Sequence, residues 1–259
     1  LHTSDEFGDL AGALNIIAED LNNFDDYQRA FISNISHDFR SPLTSIHGYA
    51  QAMLDGTIPY EAQEKYLNII LSETDRLTNL TSNLLELNSF NGDNVLLDIT
   101  TFNICETIVQ TVNTLEGTAA KKEISFVLDY NTQKELLVEA DESKIHQVLY
   151  NLIDNAVKFS HNNSEIKISL RKKGAKVFVS VKDSGIGIPK ESLNKVFDRF
   201  YKTDISRGKD KRGTGLGLSI SKEIIQAHNQ TINVVSTVDV GTEFVFTLKY
   251  HSKKQEASS

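Results

Sequence analysis

His37 stands beside a carboxylate in the stretch Ser36-His37-Asp38-Phe39-Arg40-Ser41-Pro42-Leu43-Thr44. Its imidazole is the side chain best suited to act as a nucleophile near neutral pH, provided a reagent can reach it. Upstream, Leu10, Leu14, Ile17, Leu21, Phe24, Phe31 and Ile35 alternate steps of four and three, with Gln28 the one polar member of the stripe. That spacing is the seam of a coiled coil. Carried forward from Ile35, the register puts His37 two positions past a core site, on the outward face. A lone exposed histidine on a helix is ordinarily inert, so the rest of the chain has to supply a reagent.

Further along, Asn151-Leu152-Ile153-Asp154-Asn155-Ala156-Val157-Lys158-Phe159 sets Asn151, Asn155 and Lys158 at steps of four and three, one continuous face of a helix. An asparagine carbonyl is a hard, neutral oxygen ligand suited to Mg²⁺ that already carries phosphates, and a nearby lysine can neutralise remaining phosphate charge. The same spacing equally fits an amphipathic helix with a solvated polar face. Asp183-Ser184-Gly185-Ile186-Gly187-Ile188-Pro189 follows a β-branched run. It puts a carboxylate at a strand end, able to accept from an exocyclic amine, with glycines that let backbone approach a flat ligand. Gly213-Thr214-Gly215-Leu216-Gly217-Leu218-Ser219 opens a helix, where free N–H groups and the helix dipole favour phosphate. Its spacing matches neither the dinucleotide nor the P-loop fingerprint. Each glycine run alone could be a turn. Between them, Val196-Phe197-Asp198-Arg199-Phe200-Tyr201 leads into Lys202–Arg212, where Lys202, Arg207, Lys209, Lys211 and Arg212 outnumber Asp204 and Asp210. Just before phosphate-type glycines, this cationic loop reads as a lid.

Positioning these groups takes two domains, which 259 residues with 39% apolar and 24% charged content can supply. A formal charge of −8 argues against a general nucleic-acid or anionic-membrane binder. The single Cys105 excludes an intrachain disulfide, and no Cys/His spacing suggests zinc. Cys105 reads as packing. No run reaches the ~18 apolar residues of a membrane span. The chain opens at Leu1, which fits a piece of something longer.

One helix is expected over about 5–54 with Pro42 inside it, ended by Asp55-Gly56-Thr57-Ile58-Pro59. A second runs from Glu61, with Leu67, Ile70, Leu77, Leu80, Leu84 and Leu87 stepping by threes and fours. Two antiparallel helices have too small a core alone, so pairing two copies into a four-helix bundle is the simplest burial, and a homodimer is predicted. After Asn94, strand-like runs at 124–128, 166–170, 177–181 and 244–248 alternate with helical windows near 103–120, 142–159, 191–199 and 217–228. The pattern is an α/β sandwich, a mixed sheet covered by helices on one side. Residues 251–259 read as a disordered tail.

All of these motifs, in this order and over nearly the whole chain, resemble the sensor histidine kinases of bacterial two-component systems. The His37 segment looks like the family's H-box, Asn151–Phe159 like the N-box, Asp183–Ile188 and Gly213–Ser219 like the two glycine boxes, and Val196–Tyr201 like the F-box. Asp5-Glu6-Phe7-Gly8 is similar to the start of the second HAMP helix. The resemblance implies HAMP and coiled coil at 1–28, a dimerising phosphotransfer hairpin at 29–90 and a linker at 91–94. At 95–250 it implies an ATP-binding domain of the gyrase, heat-shock chaperone and histidine kinase type. It also implies a membrane-anchored parent whose cytoplasmic portion this is.

Carried onto these positions, the resemblance implies ATP–Mg²⁺ with Asn155 and Asn151 at the metal. Lys158 and Arg199 would face the phosphates and Asp183 the adenine amine. Phe159, Gly185, Gly187, Ile188, Tyr201, Lys202, Arg212, Gly213, Thr214, Gly215, Leu216, Gly217 and Leu218 would line the site. The γ-phosphoryl group would pass to His37, with Asp38 fixing the tautomer and acting as base, and then to an aspartate of a response regulator. Ser41 would orient the water that dephosphorylates the regulator. Pro42 removes the N–H that would bond the carbonyl of Asp38, a hinge one turn after the nucleophile. Four positions depart from the common pattern: Asp38 for Glu, Ser41 for Thr, Phe159 for Tyr, and His228-Asn229-Gln230 for His-Gly-Gly. Asn suits the left-handed turn there and Gln suits it less. The alternative from another class is an ATP-driven conformational ATPase of the same nucleotide fold. Asn151 opposes it, because those enzymes usually need a carboxylate there, and it leaves the His37 segment unexplained.

Overall fold

The structure, a computed structural model, describes residues 6–89, 96–130, 135–203 and 213–252. In the first helix most side chains before Phe31 are outside the description, Ile17, Leu21, Phe24 and Gln28 among them. The chain divides into two compact units, Leu1–Asn79 and Leu80–Ser259.

In the first unit α1 (Glu6–Leu54) runs unbroken through Pro42. Proline costs a helix interior one hydrogen bond and a clash with the carbonyl four residues back, yet the helix continues for three turns beyond it. Asp55 Oδ1 accepts from Thr57 N–H at 2.9 Å in the turn that ends the helix, and a 3₁₀ turn at Tyr60–Ala62 leads into α2 (Gln63–Ser89). The expected stripes are open at Leu10 and Leu14, each 57% exposed, and at Leu67, 50%, whereas Ile70, Leu77 and Leu84 are half-buried and Leu80 is 2% exposed; Leu71, beside the stripe, is 61% exposed. Among the described residues no helix is long and apolar enough to cross a membrane.

The second unit is a seven-stranded mixed sheet. Its strands are β1 (Thr100–Asn103), β2 (Ser125–Asp129), β3 (Leu137–Ala140), β4 (Glu165–Lys173), β5 (Lys176–Lys182), β6 (Ile232–Thr237) and β7 (Gly241–Tyr250). The order is β1-β3-β7-β5-β4-β2, with β6 also paired to β7. β2 and β4 are parallel, while β5 lies antiparallel between β4 and β7. Period-two alternation turns Ile166, Ile168 and Leu170 of β4, Val177, Val179 and Val181 of β5, and Phe244, Phe246 and Leu248 of β7 inward, all at most 5% exposed. On that face lie the helices α3 (Ile104–Ala120), α4 (Glu142–Phe159) and α5 (Gly217–Ala227), with α4 packed between the other two. Each large apolar side chain buried this way contributes about 1.5–3 kcal/mol.

One expectation is corrected. The window 191–199 forms a 3₁₀ turn at Lys190–Ser192 followed by further turns, because Val196 and Phe200 are buried there as isolated anchors and not as a helical stripe. The short strands β1, β3 and β6 add to the four expected ones. Asn229 does take the left-handed conformation, at φ +55°. Next to it, His228 Nδ1 meets Ile224 O at 2.8 Å and Nε2 accepts from Asp141 N–H at 2.9 Å, tying the end of α5 to the start of α4. The 91–94 linker, most of the tail, and Asp5 lie outside the described residues.

Candidate nucleotide and phosphotransfer sites

In the second unit four separate segments meet. Asp183 leaves β5 and is only 6% exposed. Its Oδ1 accepts from Gly185 N–H at 2.9 Å and from Thr242 N–H at 3.1 Å. Its Oδ2 accepts nothing from the described residues. Burial pushes the carboxyl up to about 6, against the two N–H donors that pull it down. One oxygen is thus held by protein, and the other is left for a donor from outside.

The glycines beside it are close approaches. A Cβ on Gly185 would lie 2.3 Å from Phe159 O, and one on Gly187, at φ +66°, 2.1 Å from Thr237 O. Ser160 bridges Gly185, and Ile186 N–H donates to Phe159 O at 3.3 Å, so the end of α4 is laced to this loop. Lys122 Nζ holds that end further, 2.8 Å from Val157 O and 2.6 Å from Lys158 O. Asp239 N–H, from the β6–β7 turn, donates to Ile186 O at 2.9 Å.

On α4, Asn155 is half-buried and its amide makes no hydrogen bond among the described residues. Asn151 differs: its Nδ2 lies 3.1 Å from Gly217 O and 3.4 Å from Ser221 Oγ, which fixes α5 against α4. Lys158 Nζ pairs with Asp154 Oδ2 at 2.7 Å. α3 and α4 carry side-chain caps, Asn103 and Asp141, whereas α5 begins at Leu216 without one. Uncapped N–H groups at a helix start are an anion site only in company; here the company is the Gly215 turn and Asn151, whose Oδ1 a Cβ on Gly217 would meet at 3.5 Å. Leu216 is fully buried, and its N–H donates to Thr214 Oγ1 at 3.3 Å.

Phe200, at φ +63°, donates its N–H to Gly215 O at 2.9 Å. A Cβ on Gly215, at φ +71°, would come 2.9 Å from the Phe200 backbone. Arg199 Nη2 lies 3.3 Å from Glu223 Oε1 of α5, and Tyr201 Oη bonds Ser192 Oγ at 2.9 Å. Lys202 is half-buried. Arg207, Lys209, Lys211 and Arg212 lie outside the described residues.

The structure therefore brings together Asn151, Asn155, Phe159, Asp183, Gly185, Gly187, Ile188, Gly215, Leu216 and Gly217. Sequence reasoning missed Ser236, Gly241 and Thr242. Gly241 has φ +137°, and a Cβ there would lie 2.1 Å from Asp183 O. A glycine opening a strand, followed by threonine, was the available signal.

In the first unit the His37 side chain is 81% exposed, and its Nδ1 lies 3.5 Å from Asp38 Oδ1, whose own side chain is 16% exposed. Ser41 is exposed one turn on and Pro42 is buried. A cavity of about 460 Å³ is lined by Ser36, Phe39, Arg40, Leu43, Thr44 and His47, all on α1.

Comparison with known proteins agrees with both halves. Residues 27–92 match the family model described as the His Kinase A (phospho-acceptor) domain. Residues 140–252 match the model described as histidine kinase-, DNA gyrase B- and HSP90-like ATPase. The sensor histidine kinase WalK of Bacillus subtilis (strain 168) is 33% identical over 258 residues, covering 97% of this chain and 42% of that protein. The chain thus spans less than half the length of that relative. The catalytic domain of histidine kinase ThkA is 36% identical, with a TM-score of 0.53, covering 59% of this chain and 95% of that one. Histidine kinase ThkA in complex with response regulator protein TrrA gives 31% identity and a TM-score of 0.69, over 87% of this chain and 62% of that one. A phospho-acceptor hairpin followed by an ATPase-type sheet places this chain among the sensor histidine kinases of two-component systems.

Proposed function

We propose that the chain transfers the γ-phosphoryl group of ATP to His37 and from there to an aspartate of a separate response regulator. The observation that carries this reading is the imidazole of His37, 81% exposed with Nδ1 turned toward Asp38. A proton held on Nδ1 leaves Nε2 with its lone pair outward. That lone pair attacks the γ-phosphorus, the bond to the β-phosphate oxygen breaks, and ADP leaves. Asp38 stabilises the positive charge that develops on the ring and takes the Nδ1 proton.

The second unit holds the nucleotide. Asp183 Oδ2 accepts from the adenine amine, and Gly185 and Gly187, where backbone of Phe159 and Thr237 leaves no room for a Cβ, hold the loop beside it in place. The uncapped start of α5 and the glycines Gly213, Gly215 and Gly217 receive phosphate. Asn155, whose amide has no described protein partner, fits a metal ligand, with Asn151 beside it; two neutral oxygens need phosphate oxygens to complete a shell. Magnesium bound there would screen the β- and γ-phosphate charge. Lys158 and Arg199 hold acidic partners, Asp154 and Glu223, and swing toward phosphate when nucleotide enters. Lys202 and Arg212 belong to the lid.

The open apolar stripe supports a homodimer, the four-helix bundle being formed by residues 29–90 of two copies. Residues 1–28 then deliver the signal of a membrane-anchored parent through α1, and 95–250 form the nucleotide domain. The ThkA–TrrA complex supports a response regulator as partner, and Ser41 orients the water when the reaction is reversed into regulator dephosphorylation.

The test is incubation of the chain and its His37→Gln variant with γ-labelled ATP and magnesium. Label that survives alkali, is lost in acid and is absent from the variant is the expected result. Undiminished label on His37→Gln, or steady phosphate release with no labelled protein, overturns the reading.

A further inference from the structure

Two hydroxyls stand behind the Asp183 carboxylate, and counting protons fixes the direction of the bonds between them. Ser236 Oγ lies 2.8 Å from Gly241 O, 2.8 Å from Ile188 N and 2.9 Å from Thr242 Oγ1. A carbonyl only accepts and a backbone N–H only donates. The single Ser236 proton is therefore given to Gly241 O, and one Ser236 lone pair receives Ile188 N–H. The third bond can form only if its proton comes from Thr242. Thr242 is 6% exposed and gives its N–H to Asp183 Oδ1 at 3.1 Å. With its proton committed to Ser236, the hydroxyl can offer a neighbour lone pairs alone. Asp183 Oδ2 does the same.

We propose that Ser236 is a positioning residue that sets base selectivity: by holding the Thr242 proton it keeps two acceptors, Thr242 Oγ1 and Asp183 Oδ2, facing the purine. The inference rests on the adenine reading of Asp183 and deepens it. A 6-amino purine brings two N–H donors to two acceptors. A 6-oxo purine brings a lone pair against them, and like-facing acceptors repel. Ser236 also latches the first glycine loop, through Ile188 N–H, to the β6–β7 hairpin that carries Thr242. Without the Ser236 hydroxyl, Thr242 is free to turn its proton into the site, where a 6-oxo group would accept it.

The experiment is calorimetric titration of the full chain and its Ser236→Ala, Ser236→Thr and Thr242→Val variants with ATP and with inosine triphosphate, alongside melting curves. The wild type is expected to prefer ATP. Ser236→Ala should weaken ATP binding about tenfold and narrow the ratio of the two dissociation constants at least threefold, whereas Ser236→Thr keeps the wild-type ratio. Thr242→Val removes the same acceptor without touching Ser236, so it should narrow the ratio as well, and it decides the matter if Ser236→Ala does not fold. An unchanged ratio in Ser236→Ala, or equal losses for both nucleotides, overturns the role of Ser236 while the adenine reading stands. Equal binding of both nucleotides by the wild type overturns the adenine reading and this inference with it.

Discussion

The helical hairpin and the α/β unit solve the burial problem in opposite ways. Residues 1–79 carry thirteen Asp and Glu against four Lys and Arg, and the remainder twenty-two against twenty-three. The hairpin leaves Leu10, Leu14, Leu67 and Leu71 half or more exposed, whereas the sheet unit seals Phe246, Ile166, Ile168 and Leu152 completely. A stripe of leucines in an acidic rod is a surface waiting for other helices, while a sealed near-neutral core is sufficient by itself. The proposed homodimer would cover what the first unit leaves open, while the second unit already buries its own core.

The largest effect should come from breaking the sealed core. Phe246→Ala empties a fully buried site on the central strand β7 and should cost about 3–5 kcal/mol. Denaturant unfolding of the chain would register it, and a loss under 1 kcal/mol would show that the two units do not differ as described.

Protonation sharpens the contrast next, because burial lifts the Asp183 carboxyl to about 6. Nucleotide binding needs its ionised form, so titration from pH 8 to pH 5 should weaken ATP about tenfold, most of it below pH 6. Stability of the ligand-free unit has the opposite sign. A carboxyl raised above its unfolded value stabilises the fold at low pH, and that contribution is lost as pH rises through about 6. Parallel trends in binding and stability would contradict the burial of an unpaired Oδ2.

On the hairpin the expected energies are smaller and the readout is mass. Leu71→Asp touches an open position, so it should change unfolding of the isolated chain by under about 1 kcal/mol. It should nevertheless shift the light-scattering mass at micromolar concentration from dimer toward monomer. Smallest in energy is Pro42→Ala, which restores an N–H to Asp38 O within an unbroken helix. On the proposed function it should alter the balance between His37 phosphorylation and regulator dephosphorylation, and an identical balance in the variant would remove the hinge.

Long periodic elements were legible in the residues. Both hairpin helices, α3, α4, α5 and the strands around Ile168, Val179 and Phe246 declare themselves by spacing, since each buries a regular face. β1, β3 and β6 do not: β1 and β3 are four residues each, and β6 exposes Val235. β1 pairs with β3, and β3 with β7, from far along the chain, which no local pattern records; β6 pairs with the β7 that follows it across a short turn, but its half-exposed residues give no buried face to read. The same holds within the site. Asp183 and its glycines could be read because the motif is contiguous. Ser236 and Thr242 reach Asp183 only through the β6–β7 register, in which they sit opposite each other.

The clasp between Phe200 and Gly215 has a consequence for how the cationic segment can diverge. Because the Phe200 N–H grips Gly215 O, the stretch between them leaves and returns at one point, as a bight of rope does from a single cleat. Lengthening such a loop adds only about 0.6 kcal/mol for each doubling. Relatives could therefore exchange, extend or recharge it wholesale while the proposed purine site stays as it is, and Gly215→Ala would undo that independence by prising the clasp apart.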